Sequence, residues 1–89
     1  MKKMFSSTAW EQYVAWQSDK KILHKINTLI KDIERNGAMQ GIGKPEALKG
    51  DLSGLYSRRI NLEHRLVYTL EDDVLYIIAC KTHYKDIKS

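Results

Sequence analysis

GKPEALKGDLSGLYSRRINLEHRLVY, residues 43–68, decides how the rest of the chain is read. It opens on glycine and proline, which interrupt regular structure, and closes on two alternating runs that mark strands. Those runs are residues 55–61 and 65–70, and VLYIIACK at 74–81 supplies a third. The links between them, 61–64 and the acidic 71–73, suit hairpin turns. Three strands joined this tightly form an antiparallel meander. Alternation sends Leu66, Tyr68 and Leu70 to one face, and Arg65, Val67 and Thr69 to the other. In the third run both parities are apolar, as in a central strand covered on both sides. Residues 2–5 can add a short first strand.

Upstream, the pattern changes to a helical period. Thr8-Ala-Trp-Glu11 fits a capping box and predicts a first helix to about Gln17, carrying Ala9, Trp10, Tyr13, Val14 and Trp16. Ser18-Asp19 interrupts it, with Asp19 placed to cap a second helix and complement its dipole. Ile22, Leu23, Ile26, Leu29, Ile30 and Ile33 then make one continuous apolar stripe. Gly37 is the expected terminator. Trp10 and Trp16 read as core or partner contacts rather than platforms for bases, and His24, among Lys20, Lys21 and Lys25, as solvated. Gly41-Ile-Gly43 is no phosphate loop, because it lacks a third glycine and a strand–loop–helix frame. The fold class expected is α+β: an N-terminal helical hairpin packed on one face of a twisted, mainly antiparallel β-sheet. Residues 1–89 form one domain, with 85–89 as a C-terminal extension.

An apolar content of 43% with 29% charged residues describes a single globular unit, neither disordered nor membrane-embedded. The longest apolar run, 74–80, is far too short to span a bilayer. The opening residues show no secretory pattern, and a lone Cys80 fits a reducing compartment, so a cytoplasmic location is expected. The net charge of +4 favours an anionic partner, although such an excess also serves solubility. Cations gather in the opening stretch and at Lys81, Lys85 and Lys88, around His83.

The chemistry-bearing residues follow from the strand reading. Glu46 stands just before a run of cations, Lys49, Arg58, Arg59 and Arg65, which paired strands would bring together on one sheet face. Arg59 and Arg65 are assigned to neighbouring strands on the side away from the helices, with His83 just past the last strand. Each residue also has a plain structural reading. Glu46 can pair with Lys49, the arginines can form a solvated face with Glu63, and His83 can be unpartnered. No nucleophile–His–Asp set stands out, and there is no His-Glu-x-x-His or Cys-x-x-Cys spacing, so neither metal nor cofactor is expected. Acid–base cleavage of RNA needs a base at the 2′-hydroxyl, an acid at the 5′-oxygen and cations around phosphorus. One Glu, one His and an arginine pair match that list.

GKPEALK at 43–49, LSGLYSRRI at 52–60, EHRLVY at 63–68 and CKTHY at 80–84, with KINTLIKDI at 25–33, resemble the YoeB branch of the RelE-type toxin endoribonucleases. The likeness covers nearly the whole chain and implies a RelE-like microbial RNase fold. It implies a toxin of a type II toxin–antitoxin pair that cuts mRNA in the ribosomal A site, leaves a 2′,3′-cyclic phosphate and stops translation. By that resemblance Glu46 is the general base, His83 the general acid and Arg65 the group that stabilises the transition state. Lys49 and Arg59 match basic groups around the scissile phosphate, and Tyr84 the aromatic residue after the histidine. The partners implied are mRNA, the ribosome and a cognate antitoxin with an acidic, partly disordered segment, with homodimerisation left open and no membrane.

An ordinary carboxylate is a feeble base at neutral pH and an ordinary imidazole mostly uncharged, so a partner that orders the substrate is expected to be needed for rapid cleavage. Two departures stand out. Lys81 occupies a position where arginine is frequent, and 85–89 continue past the His-Tyr pair, either adding basic RNA contact or restricting His83 and Tyr84. Two alternatives remain: a gyrase inhibitor of the ParE type, and a non-catalytic RNA- or DNA-binding corepressor. The Glu46, Arg65 and His83 trio argues for the nuclease.

Overall fold

A computed structural model describes residues 1–87; Lys88 and Ser89, part of the expected extension, lie outside the described residues. Strand β1 (Lys2–Phe5) leads into helices α1 (Ser7–Ala15) and α2 (Lys20–Asn36), followed by β2 (Glu46–Ala47), β3 (Tyr56–Arg59), β4 (His64–Glu71) and β5 (Val74–His83). The sheet order is β1-β5-β4-β3-β2. The meander is antiparallel as expected, and β1 joins it parallel to β5. The fold is the expected α+β arrangement.

Local chemistry sets the boundaries. α1 begins one turn's fraction earlier than the capping-box reading, because Ser6, not Thr8, caps it: Ser6 Oγ accepts from Ala9 N–H at 2.9 Å. Asp19 caps α2 as expected, accepting from Ile22 N–H at 3.2 Å. Gly37, at φ 89°, ends α2 by donating its N–H to Ile33 O at 2.8 Å. Asp72 and Asp73 both adopt left-handed φ, 51° and 61°, the backbone that lets a tight hairpin follow the sheet twist. The α2 stripe buries Ile26, Leu29, Ile30 and Ile33 in one cluster with Leu66, Tyr68, Leu75, Ile77 and Cys80.

Strict alternation fails in β5. Ile77 and Cys80 have opposite parity, yet both lie in the core, because the β4–β5 register slips at Arg65/Val67 and again at Val67/Tyr68. The slips give β5 extra residues, a bulge. Helix α1 satisfies the disturbed backbone. Gln12 Oε1 accepts from Cys80 N–H (2.7 Å) and Lys81 N–H (3.1 Å), and Trp16 Nε1–H donates to Cys80 O at 2.8 Å. Trp16 is thus a structural residue, while Trp10, 54% exposed, packs on Phe5 and Tyr13 at the surface. The bulge matters for the site: it sets His83 opposite His64 and Thr82 opposite Arg65.

Arg58 corrects the expectation that all the cations share one face. Its side chain points into the helix side of the sheet and is fully buried. All of its guanidinium donors are used: Nε on Tyr68 Oη (3.0 Å), Nη1 on Asp32 Oδ2 and Ile42 O, Nη2 on Gly37 O (2.8 Å) and Gln40 O (2.7 Å). The guanidinium therefore ties the 37–42 loop to α2 and β4. Burial pushes the Asp32 carboxyl up, but hydrogen bonds from Arg58 and the Ile42 N–H, with the Arg58 charge, outweigh it and hold it below its ordinary range. Gly41 is required here, since a Cβ would fall 1.9 Å from Asp32 Oδ2 at a φ of 117°.

Candidate active site on the open face of the sheet

Register places the site residues. Glu46 pairs with Ser57, Ser57 with Val67, and Arg59 with Arg65, so Glu46, Arg59 and Arg65 project from one face, opposite to Arg58. The preceding segment is pinned there by Arg59 N–H, which donates to Gly43 O at 2.7 Å. Glu46, Arg59, Arg65, Tyr84 and Ile87 line a cleft of about 140 Å³.

Arg65 is held by the β3–β4 link. Asn61 Oδ1 accepts from Glu63 N–H (2.9 Å) and His64 N–H (2.7 Å), shaping a turn whose carbonyls face the guanidinium. Arg65 Nη1 donates to Asn61 O at 2.8 Å and to His64 O at 3.2 Å, leaving Nη2 and Nε outside these bonds. Partial burial and the Arg59 charge draw the Arg65 pKa down, while Glu46 and Tyr84 pull it up; it remains a cation at working pH. Among the described residues the ion pairs are Lys3–Glu34 and Arg58–Asp32, so Glu46, Arg59 and Arg65 share a cleft without neutralising each other in direct contact. Two facing arginines with free donors make a preorganised anion site.

His83 is the last residue of β5, and its ring stacks on Tyr84 at 4.6 Å and 28°. Tyr84 in turn lies against Arg65, with Cζ 5.6 Å from the ring centroid, and its N–H donates to Glu63 O at 2.8 Å. The imidazole therefore joins the cleft through Tyr84 rather than lining it. Lys49 is further removed, sharing a neighbouring hollow with Asp51, Leu52 and Asp86. Of the six residues expected, Glu46, Arg59, Arg65 and Tyr84 share the cleft, His83 borders it, and Lys49 faces the next one.

Three neighbours escaped the sequence reading. Asn61 looked like any polar turn residue, His64 shows its relation to His83 only through the bulged register, and Ile87 carries no chemical signal at all. His64 packs edge-on against Trp16 at 5.2 Å and 6.3 Å from the His83 ring. Other features lack the chemistry. The Cys80 thiol is buried, which pushes its pKa up to about 11 and makes it a poor nucleophile. A larger groove of about 390 Å³ is lined by Phe5, Trp10, Tyr13 and Ile30 together with Lys3, Asn27, Lys31 and Glu34. No group of three or more potential metal ligands occurs among the described residues, and no described helix is long and apolar enough to cross a membrane.

The fold is that of a bacterial toxin class. The family of YoeB-like toxins of bacterial type II toxin–antitoxin systems matches residues 5–84. Toxin YoeB of Escherichia coli (strain K12) is 54% identical over 85 residues, covering 94% of this chain and 100% of the relative. The solved heterotetrameric YoeB–YefM toxin–antitoxin complex from Staphylococcus aureus superposes with a TM-score of 0.88 at 56% identity, covering 94% of this chain and 98% of that one. The YoeB dimer from the same organism gives 0.89 at 56% identity over the same shares. The chain belongs to the YoeB toxin family of type II toxin–antitoxin systems.

Proposed function

We propose that this protein is a ribosome-dependent mRNA endoribonuclease that stops translation by metal-independent acid–base cleavage in the ribosomal A site. The observation that carries the reading is the cleft itself. A carboxylate, two facing arginines and a tyrosine converge on a sheet face with no neutralising ion pair among the described residues, next to a stacked imidazole. Glu46 takes the proton of the 2′-hydroxyl, and the 2′-oxygen attacks the adjacent phosphorus. Arg65, with Arg59 opposite, stabilises the charge that gathers on the non-bridging oxygens. The P–O5′ bond breaks, His83 gives a proton to the leaving 5′-oxygen, and the products are a 2′,3′-cyclic phosphate and a free 5′-hydroxyl. Tyr84 supplies an aromatic surface beside the scissile nucleotide, and Lys49 a charge for the flanking backbone.

The cleft is small, about 140 Å³, and the ribosome is the partner inferred to order a single strand across it. A cognate antitoxin is the second partner inferred, with an acidic segment suited to this cationic face; the Staphylococcus aureus relative is a YoeB–YefM complex, and its dimer makes homodimerisation the matching expectation here. The test is to map mRNA 3′ ends in a reconstituted translation reaction. Codon-linked cuts ending in a cyclic phosphate are expected. Intact mRNA with stalled gyrase would instead make the protein a gyrase poison, and intact mRNA without it a binding module.

A further inference from the structure

We propose that residues 85–87 are a built-in occupant of the cleft, which substrate must displace. This rests on the reading of the cleft as the seat of the scissile phosphate. The family match ends at Tyr84, so 85–87 lie beyond it. Lys85 and Asp86 are exposed, but Ile87 is half-buried. Tyr84–Asp86 turns once on the end of β5, and the turn is tied down at Tyr84 N–H to Glu63 O. Ile87 then lines the Glu46–Arg59–Arg65 cleft and Asp86 the hollow of Lys49. An apolar side chain among a carboxylate and two guanidiniums gives that site nothing it can use chemically. It does fill space that a ribose-phosphate would need. Asp86 meanwhile sets a negative charge beside Lys49, where a nucleic-acid backbone would otherwise bring one.

The segment also touches the imidazole. Lys85 N–H donates to His83 Nδ1 at 3.2 Å, so in this arrangement Nδ1 carries a lone pair and the proton of the neutral ring sits on Nε2. The His83 ring and the turn that carries Ile87 are thus joined through one amide. The groups facing His83 are His64 on β4 and Tyr84 and Lys85 on its own segment. A site occupied in this way binds its ligand more weakly by the fraction of time it stands open.

Truncation after Tyr84 would put a new carboxylate beside Arg65, so substitutions within the full chain test the proposal better. Lys85→Pro removes the donor N–H, Lys85→Ala removes only the charge, and Ile87→Ala empties the cleft. Inorganic phosphate, titrated by NMR at low salt, probes the cleft without requiring catalysis. Lys85→Pro and Ile87→Ala are expected to bind phosphate about 3–10-fold more tightly than the unsubstituted chain, with Lys85→Ala unchanged or slightly weaker. Nitrogen-15 shifts should report a fixed Nε2–H tautomer at His83 that Lys85→Pro mixes and Lys85→Ala keeps. Equal or weaker phosphate binding in both Lys85→Pro and Ile87→Ala overturns the proposal. Failure of every variant to cut ribosome-bound mRNA would count against the nuclease reading alone, since the phosphate titration decides the occupant independently.

Discussion

Arg58 and Arg59 are neighbours in sequence and lie on opposite faces of the same strand. The helix-side arginine has every donor engaged and no exposure, and its work is to hold the 37–42 loop, α2 and β4 together. The open-face arginine is half-buried, faces Arg65 across the ladder and forms no ion pair among the described residues. The same side chain is thus spent on stability at one residue and, in the proposed function, on ligand charge at the next. What separates the roles is whether the surrounding polypeptide has already satisfied the guanidinium. Saturated donors make a tie, and free donors in a shared cleft make a binding site.

The comparison breaks most readily at Arg58. Arg58→Ala leaves Asp32 without its cation and strands several carbonyls, so equilibrium denaturation should show a loss of about 3–5 kcal/mol, enough to unfold much of a small domain. Arg58→Lys should also destabilise, because a point-charge ammonium cannot reproduce the planar fork. Arg59→Ala should leave stability within about 0.5 kcal/mol in the same assay while weakening RNA binding. If the two substitutions destabilise equally, the division of labour is wrong.

On the open face the expected losses are in rate. Glu46→Gln and His83→Gln should each slow single-turnover cleavage of ribosome-bound mRNA by about 10²–10⁴-fold with melting temperature little changed. Arg65→Ala should cost about 10²–10³-fold, and Arg65→Lys less, as for a group that meets charge developing on phosphate. Gln12→Ala sharpens the comparison from the helix side. It touches no substrate, but it deprives the β5 bulge of its acceptor, and should cost about 1–3 kcal/mol of stability together with a lower rate from a displaced His83.

The acid limb of stability belongs to the buried tie. Because Asp32 is held below its ordinary value in the folded state, its contribution is fully present above about pH 4, the unfolded range, and is lost as pH falls through the lowered folded value. Denaturation midpoints measured from pH 6 down to pH 2 should fall accordingly, and Asp32→Asn should flatten that slope. The smallest effect concerns Cys80. With its thiol pushed up to about 11, alkylation at pH 8 should be slow in the folded protein and fast once denatured.

The element pattern was legible because period and punctuation agree: the α2 stripe, Asp19, Gly37 and the three strand runs each point to the same fold. The candidate cleft was partly legible, since the strand reading puts Arg59 and Arg65 on the open face and the motif order supplies Glu46 and His83. Alternation also carries the information that Arg58 faces the other way, but a charged residue on an apolar face is readable only once Asp32, Tyr68 and the loop carbonyls are seen to close around it. The bulge was invisible because it depends on long-range register, and with it went the His64–His83 pairing. Ser6 displaced Thr8 as cap because it follows β1 directly and is fixed there, its hydroxyl also donating to Ile78 O at 2.7 Å. Ile87 was illegible for a simpler reason: nothing local to an isoleucine says that it will lie among charges.

The central claim is that one ribose-phosphate fits between Glu46 and His83 against the Arg59–Arg65 pair. The most direct measurement is a structure of the active protein on a ribosome carrying mRNA blocked by a 2′-O-methyl group at the A-site codon. The account predicts the modified 2′-oxygen at the Glu46 carboxylate, the phosphate on the Arg65 guanidinium and the 5′-oxygen toward His83, with Ile87 out of the cleft. An mRNA backbone seated elsewhere, with Glu46 and Arg65 contacting no phosphate or ribose, would contradict it.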